Sequence, residues 1–456
     1  MTNLLNRYLY IIYAFILLLT IINIFIGSEV FIYINGIITI PILILSFLGA
    51  TLLFKTLGSI FLLVGLILFL QSGLPFYETF RFITGNLGLL ALLAVLPWMN
   101  SVVRAGRFDR RINDLMKMNV SNLGKLYVRS TLTSFTLISF ISLSAINLSQ
   151  GVLLRSLTNY TKNLRDTYIA QTTLRAFSMA LVWSPMEVLV AITVDATGVS
   201  YLTFLPWLVL FTTIMIVLDT TWGRYKYKSI PYETPSNMAV KTLSMKEILK
   251  NIFLLFVALA VFLTIVVILS NGIGLNFILS VTLVIFPFAC IWAFVMKRWR
   301  SFLAIGWKTW KIRTNAMQNF FVLFVSLAFF SNSLSASPLL ETLQSPFMAA
   351  TKYPLFMLFV IQFTYLFFSL LGIHPIATIG ILIEIVTPLY EVMNPLGIGI
   401  ALIIGALSTA SVATYGVTVT MTSMNTGQNP YRITGKNMPF TLVFGTIGTF
   451  LAYFLL

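Results

Sequence analysis

The amino-acid sequence predicts an all-α polytopic membrane protein with about 12–14 membrane segments. Three observations support this fold class. Of the 456 residues, 58% are hydrophobic and only 9% are charged, whereas a soluble domain carries about 25% charged residues. Mean hydropathy is +0.95. Apolar runs of about 20 residues, the length that crosses a bilayer as a helix, recur along the chain. Lipid must therefore solvate much of the folded surface.

Continuous apolar runs form the first class of predicted membrane segments. They cover residues 8–27, 30–53, 57–72, 84–103, 200–221, 248–270, 273–296, 354–371, 397–420 and 437–456. Four further apolar regions are interrupted by polar residues and are predicted to be discontinuous or re-entrant: 127–154, 168–196, 315–337 and 373–391. The first run is expected to remain a spanning helix, because no small-residue cleavage site follows it.

Basic residues predict the orientation. The net charge is +16, and most Lys and Arg lie in three stretches between apolar runs: 104–129, 222–250 and 297–313. Because basic loops stay cytoplasmic, we expect these stretches and the N-terminus to face the cytoplasm, in a multi-pass protein of the cell membrane. The third stretch, "KRWRSFLAIGWKTWKIR", alternates aromatic and basic residues. That pattern favours a helix in the headgroup plane over a solvated loop.

Several classes of function are excluded by what the sequence lacks. One cysteine, Cys290, and one histidine, His374, leave no intrachain disulfide and no zinc site of the usual kind. We therefore expect no metal and no cofactor. There is no GxxxxGK[ST] nucleotide motif and no convincing nucleophile–base pair, so the chain is not expected to be an enzyme. No basic domain stands apart from the apolar runs, which argues against nucleic acid as a partner.

Similar features recur at an offset of 190 residues. The apolar runs "NLGLLALLAVLP" and "NFILSVTLVIFP" end at Pro97 and Pro287, and later apolar segments are interrupted at Pro185 and Pro375. Duplicated halves are common in secondary transporters, which bind solute at the interface of the repeats. A two-fold internal repeat is therefore predicted.

The repeat predicts the organisation of the chain. It divides into N-terminal transmembrane segments at 1–53, a first membrane repeat at 54–228, a second at 229–436 and a C-terminal transmembrane helix at 437–456. The repeats are either parallel or inverted. Because the stretches 104–129 and 297–313 both look cytoplasmic, either the repeat is parallel or one stretch departs from the charge rule.

Polar clusters inside apolar segments are the predicted substrate site. Irregular, Ser/Asn-rich backbone persists at membrane depth only where protein or a water-filled cavity covers it. Hydroxyl groups, free carbonyls and half-helix ends can bind a carboxylate or a sodium ion. The alternative is close helix packing through small residues. The candidate substrate-binding residues are Ser142, Ser144, Asn147, Ser149, Ser331, Asn332, Ser333, Ser335, Ser408, Thr409 and Ser411.

Three ionisable residues are candidates for ion coupling. Glu187 and Glu384 each follow one of the interruptions at Pro185 and Pro375, and His374 precedes the second. Ionisable groups inside a membrane are costly and usually functional. We expect both carboxylates to point into the protein, towards Ser, Thr or backbone groups. The alternatives are a protonated, hydrogen-bonded structural glutamate and a histidine that caps a broken helix.

The segments "SLSAINLS", "SNSLSASP" and "GIHPIATIGIL" resemble the ion-transporter superfamily, which includes divalent anion/sodium symporters and arsenite-pump-like carriers. The resemblance would cover most of residues 30–425. It implies interfacial helices and paired hairpins whose Ser-Asn-Thr motifs hold sodium ions and an anionic substrate. The triplet at 331–333 reads Ser-Asn-Ser here, a departure that bears on sodium coupling.

The function predicted is secondary transport of a small anionic solute across the cytoplasmic membrane, coupled to H+ or Na+. The alternative is a flippase or assembly factor for an anionic lipid-linked or envelope-polymer precursor, since basic interfacial helices attract anionic headgroups. Expected partners are membrane lipid, the small anion and the coupling ion, with a second copy of the chain as a further candidate.

The basic stretches allow a direct test of orientation. In a Cys290→Ala background, we expect Ser229→Cys and Ser301→Cys to react with an impermeant thiol reagent only when it reaches the cytoplasmic face, because both sites lie in basic loops. Labelling in intact and in permeabilised cells measures this. Labelling of either site in intact cells would contradict the orientation.

Overall fold

A computed structural model of the protein describes residues 2–108, 112, 116, 120–232 and 245–456, so parts of the basic stretches 104–129 and 222–250 lie outside the described residues. Within these ranges the regular structure is helical, apart from one isolated bridge between Asn122 and Pro231. The α-helices are α1 Thr2–Ile26, α2 Glu29–Gly49, α3 Leu52–Ser72, α4 Glu78–Phe82, α5 Leu87–Ala105, α6 Leu123–Ile141, α7 Leu143–Ser156, α8 Lys162–Leu181, α9 Val188–Thr197, α10 Tyr201–Lys226, α11 Met245–Val267, α12 Phe277–Val295, α13 Trp299–Asn315, α14 Gln318–Ser335, α15 Leu339–Ala349, α16 Pro354–Leu370, α17 Pro375–Val386, α18 Pro395–Ser408, α19 Val417–Thr426 and α20 Pro430–Phe454.

The predicted all-α polytopic class is confirmed. In the described part of the chain, 9 helices are long and apolar enough to cross a membrane, and three shorter apolar helices accompany them. The interruptions predicted within 127–154 and 168–196 are present, at Ser142 and at residues 182–187. Two predicted segments are wrong in detail. The region 315–337, predicted to be discontinuous, contains the continuous helix α14. Residues 397–420 are not one helix, because α18 tightens into a 3₁₀ turn, Thr409–Ser411, and helical structure resumes only at Val417.

Local sequence signals fix where several helices begin and end. Asn394 and Asn429 accept hydrogen bonds from the second following backbone N–H, and each is followed by a proline in the first helical turn of α18 or α20. Gly198 and Gly427 end α9 and α19 with positive φ of 66° and 69°, which glycine adopts without strain. The short polar connections therefore act as helix boundaries.

The described residues pack as two compact units. Unit 1 consists of Met1–Ser101, Leu269–Tyr353 and Ile379–Val392, and unit 2 consists of Val102–Ile268, Pro354–Thr378 and Met393–Leu456. In unit 1, α14 packs along α3. A Cβ at Gly58 would meet Val322, and a Cβ at Gly65 would meet Phe329. Both pairs are seven residues apart, so the two helices run parallel and approach closely through small residues.

Unit 2 contains the same sequence of elements twice. The first set is the pair α6–α7 joined at Ser142, the helix α8–α9 interrupted at residues 182–187, and the long helix α10. The second set is α16 with the turn at residues 371–374 and the beginning of α17, of which residues 375–378 belong to unit 2, then the helix α18–α19 interrupted at residues 412–416, and the long helix α20. The long helices begin at Tyr201 and Pro430, 229 residues apart. A two-fold repeat therefore lies within the elements of unit 2.

Contacts between the two long helices give the sense of this repeat. The rings of Phe211 and Phe444 lie 4.7 Å apart. Eight residues after Phe211 in α10, Asp219 accepts a hydrogen bond from Arg175. Arg175 also donates a hydrogen bond to Asn437, which lies seven residues before Phe444 in α20. The corresponding helices α10 and α20 thus run antiparallel, and the repeat in unit 2 is inverted.

The inverted repeat has an offset of 229 residues, which differs from the offset of 190 residues between the proline motifs of the sequence. Pro185 lies inside the interruption of a helix, whereas Pro375 begins the helix that follows a turn. Both prolines mark a break, because proline lacks the N–H that would continue a helix, but the breaks belong to different elements. The boundaries predicted at 54–228 and 229–436 stay a prediction.

A tyrosine cluster packs the beginning of α6 against α8 and the end of α10. Tyr227 stacks on Tyr127 with ring centroids 5.6 Å apart, and Tyr168 packs edge-on against both rings. Burial raises the pKa of Tyr227 to about 12. Its hydroxyl therefore stays protonated at neutral pH, consistent with donation to Gln171 Oε1 at 2.9 Å.

A buried ion pair ties three helices of unit 2 together. Arg175 Nη1 on α8 donates to Asp219 Oδ1 on α10 at 2.9 Å, and Arg175 Nε donates to Asn437 Oδ1 on α20 at 3.1 Å. The Tyr127 hydroxyl also donates to the Asp219 carboxylate, and the guanidinium lies over the Trp222 ring at 4.4 Å. Both charged side chains are at most 5% exposed, so each depends on the other to remain buried as an ion.

Removing one partner of this pair should cost far more stability than removing both. Asp219→Ala leaves the Arg175 charge buried without its partner, which costs about 3–5 kcal/mol, whereas Arg175→Met with Asp219→Leu replaces the pair by apolar volume. Denaturation by SDS in mixed micelles measures the free energy of unfolding. Equal losses in the single and the double variant would contradict a stabilising charge pair.

Candidate functional site

The candidate site is the set of four helix breaks in unit 2, which we call the four interruptions. They are the turns at Ser142 and at residues 371–374, and the breaks at residues 182–187 and 412–416. A helix end leaves backbone N–H and C=O groups without intrahelical partners. In a membrane protein such groups need protein, water or a ligand. The four interruptions are therefore where unit 2 can offer polar groups to a solute.

In the first repeat, an aromatic chain brings the turn close to the helix break. The ring centroids of Phe140, just before the turn, and Phe256 are 5.9 Å apart. Phe256 stacks on Trp183 with ring centroids 6.2 Å apart. Ser142 itself adopts φ 44° and ψ −129°, a conformation that is strained for a residue with a Cβ. The Trp183 indole nitrogen is buried and has no hydrogen-bond partner among the described residues. It is an unused donor at this place.

In the second repeat, the turn touches the helix break directly. Gly372 has φ 89°, and a Cβ at this position would lie 3.2 Å from Tyr415 Cδ2. Beside the break, Gln362 Nε2 donates to Ser408 Oγ at 3.0 Å, and the hydroxyls of Ser411 and Thr441 are 3.0 Å apart. The same pairing of a turn with a break thus occurs in both repeats.

An amide and hydroxyl network, buried at Gln150 and exposed at Asn147 and Asn425, joins α7, α8 and α19. Gln150 Nε2 donates to Thr173 Oγ1 at 2.9 Å and to Thr422 Oγ1 at 2.8 Å. Asn425 Nδ2 donates to Gln150 Oε1 and to Asn147 Oδ1, both at 2.8 Å. The network connects the first repeat to the second through polar groups on helices that follow Ser142 and residues 412–416.

The predicted substrate-binding residues between Ser142 and Ser149 and between Ser408 and Ser411 all lie in unit 2. Ser142 forms the turn, Ser144 lies half-buried in the first turn of α7, and Asn147 belongs to the network. Ser149 is fully buried, and its hydroxyl has no partner among the described residues. Thr409 Oγ1, beside Ser408 and Ser411, donates to the Ala406 carbonyl. Their role in binding a solute remains a prediction.

The other predicted substrate-binding residues, Ser331, Asn332, Ser333 and Ser335, lie in unit 1. Helix α14 continues without a break to Ser335, so "SNSLSASP" is the end of a span rather than an interruption within it. Ser331 and Ser335 donate to the two oxygens of the Glu384 carboxylate. Asn332 Nδ2 donates to the Phe82 carbonyl at 3.0 Å, and Ser333 is buried without a partner among the described residues.

The predicted coupling residues have distinct surroundings. Glu187 is half-buried at the N-cap position of α9, at the end of the break 182–187. His374 Nδ1 accepts a hydrogen bond from the Ile376 N–H at 3.2 Å, which is the capping geometry considered as the alternative to a proton site. Glu384 is half-buried and bonded to two serine hydroxyls, the environment expected for it.

Four residues of the network were not among the predicted site residues: Gln150, Thr173, Thr422 and Asn425. The available signal was helical spacing, because Asn147 and Gln150, like Thr422 and Asn425, are three residues apart and share one helix face.

No group of three or more His, Cys, Asp or Glu in the described part of the chain could hold a metal ion.

The site and fold define a polytopic helical membrane protein with an inverted repeat of turns and interrupted helices. No protein-family model matches the sequence, and no curated protein matches it. Two solved structures are similar. The YdaH transporter of Alcanivorax borkumensis, reported to have an unusual topology, aligns with 88% of this chain and 97% of its own at 15% identity and a TM-score of 0.61. MtrF of Neisseria gonorrhoeae, presented as illustrating a class of antimetabolite efflux pumps, aligns with 87% of this chain and 94% of its own at 13% identity and a TM-score of 0.59.

Identities this low establish a shared fold. The chain therefore has the fold of two membrane transporters, over nearly its full length. The resemblance to the ion-transporter superfamily stays a prediction.

The accessibility of the first turn can be measured. In a Cys290→Ala background, we expect Ser142→Cys to react with a small hydrophilic methanethiosulfonate, because this half-buried turn has irregular backbone that needs polar surroundings. Ser326→Cys is the matched control, since Ser326 is fully buried in continuous helix α14 and bonded to backbone carbonyls. Equal, slow reaction of both variants would show that the turn is packed and dry.

Proposed function

We propose that this protein is a secondary transporter that moves a small anionic solute across the cell membrane, coupled to H+ or Na+, with its N-terminus in the cytoplasm. The observation that carries the proposal is the inverted pairing of turns and helix breaks in unit 2. Inverted repeats with discontinuous helices are the architecture in which carriers bind a solute near the bilayer midplane. The fold shared with YdaH and MtrF supports the same class of function.

The chemistry at the first turn favours an anion. Helix α7 begins immediately after Ser142, and its 14 residues contain no acidic side chain. The N-terminus of a helix presents free N–H groups and a partial positive charge. The Trp183 indole N–H adds a buried, unused donor in the same repeat. A carboxylate or a similar small anion matches donors of this kind.

Besides the predicted coupling residue Glu384 in unit 1, the coupling ion has two candidate locations in unit 2. Glu187 ends the first helix break, where a carboxylate can carry a proton. The second break, at residues 412–416, follows the hydroxyls of Thr409 and Ser411, and freed carbonyls with hydroxyls are ligands for Na+. The absence of a nucleotide motif from the sequence agrees with transport driven by an ion gradient.

The alternative is a flippase or assembly factor for an anionic lipid-linked or envelope-polymer precursor. The observation in its favour is the exposed basic and aromatic surface of α13. A carrier for small solutes and a lipid-handling protein differ in one measurable respect: only the first accumulates a water-soluble anion inside a vesicle.

Uptake into proteoliposomes tests the proposal. We expect the full chain to accumulate a radiolabelled small organic anion, from a panel of carboxylates, under a pH or a sodium gradient, and to lose this accumulation when an ionophore collapses the gradient. Glu187→Gln and Glu384→Gln should each abolish gradient-driven uptake and retain solute exchange, because they remove an ionisable group but little volume. Glu341→Gln, which changes an exposed carboxylate, is the matched control.

Two results would contradict these expectations. Uptake that ignores both gradients for every anion in the panel would count against the carrier. A wild-type pH profile in either glutamine variant would assign that glutamate a structural role and leave the carrier itself in place.

A further inference from the structure

Helix α13 lies where three membrane spans of unit 1 meet the membrane surface. It follows the span α12, which ends at Val295, and it precedes the span α14, which begins at Gln318. At its end, the Asn315 side chain accepts a hydrogen bond from the Tyr10 N–H at 2.7 Å, in the first turn of the span Tyr8–Ile26. A helix connected in this way to the ends of spans lies at the boundary between headgroups and water.

One face of α13 is firmly packed on the protein. Phe302 is fully buried. A Cβ at Gly306 would collide with the Trp98 ring, so the helix backbone rests directly on that indole. Trp310 packs edge-on against Tyr10 with ring centroids 5.7 Å apart. These contacts fix the rotation of the helix about its axis, and hence which residues face outwards.

An apolar stripe faces outwards beside the packed face. Trp299, Leu303 and Trp307 are four residues apart and therefore lie on one side of the helix. They are 39%, 37% and 54% exposed. Tryptophan favours the interface between acyl chains and headgroups, so this stripe suits the upper part of the acyl chains rather than water.

Basic side chains lie next to the apolar stripe. Arg300 and Lys308 are exposed, and Lys311 covers the Tyr10 ring at 4.9 Å. Lys297, Arg298 and Arg313 add to this charge, and residues 297–315 contain no Asp or Glu. In the described part of the chain, no salt bridge involves a basic residue of this stretch. The positive charge of the surface is therefore available to an external anion.

We propose that the surface formed by Trp299, Arg300, Leu303, Trp307, Lys308 and Lys311 of α13 is a binding site for an anionic phospholipid. The basic side chains bind the headgroup phosphate, and the apolar stripe contacts the acyl chains below it. A free phosphate would use the charges but not the stripe. A zwitterionic lipid would use the stripe, but its own cation would oppose the basic residues. Only an anionic lipid matches both parts of the surface.

Lipid titration of the detergent-solubilised full chain, followed by native mass spectrometry, tests this site. We expect phosphatidylglycerol to bind more tightly than phosphatidylcholine with the same acyl chains. Lys308→Gln with Lys311→Gln should weaken phosphatidylglycerol binding about 30-fold, because each basic residue at an anionic surface contributes about 1 kcal/mol and about 1.4 kcal/mol is a tenfold change in affinity. Lys308→Arg with Lys311→Arg should bind as the unaltered protein does.

A charge-matched control separates the site from general electrostatic attraction. Lys125→Gln with Lys352→Gln removes two exposed lysines that lie outside α13, and it should leave phosphatidylglycerol binding unchanged. Three results would each overturn the proposal: equal affinity for the two lipids, unchanged binding in the Lys308/Lys311 glutamine variant, or the same loss in the control variant. Because the assay measures binding without transport, its outcome is independent of the proposed carrier function.

Discussion

The constraint on which this structure depends is that lipid offers no hydrogen bonds to the backbone. Continuous helices meet it internally, and most of the chain consists of them. Where unit 2 departs from the helix, side chains supply the missing partners. Thr434 donates to the Val412 carbonyl, Thr418 to the Ala410 carbonyl and Thr441 to the Ser408 carbonyl. The breaks are thus held by specific hydroxyl groups, and polar residues concentrate where the backbone is irregular.

The fold class and most helix boundaries could be predicted because composition and apolar run length report directly on solvation by lipid. Interruptions could be predicted where a proline or several serines stand inside an apolar run, as at Ser142 and Pro185. The break at residues 412–416 was missed within the run 397–420, since alanine, valine and threonine keep that stretch apolar while its backbone turns. Hydropathy reports only on the polarity of side chains, whereas residues 412–416 depart from the helix in their backbone conformation.

The candidate site was predicted only in part, for a related reason. Serine and asparagine clusters look alike whether they serve a turn, as at Ser142, or satisfy a carboxylate at a helix end, as Ser331 does for Glu384. Sequence alone does not distinguish these two uses, because they differ only in the group that the polar side chain contacts in the folded protein. Gln150 and Asn425 escaped notice for the same reason: they lie in different helices, and only the packing of α7 against α19 brings their side chains together.

The ion pair of Arg175 and Asp219 has no counterpart in the second repeat. The positions 229 residues later are Ile404 and Gly448, and Gly448 packs against Ile404 there. The two repeats therefore share their arrangement of helices, but only the first contains a buried ion pair at this place. A rearrangement of unit 2 that separated the guanidinium from the carboxylate would leave two buried charges unpaired, and the inverted arrangement would form no equivalent pair in compensation. The ion pair thus stabilises the arrangement described here by chemistry that the second repeat does not share.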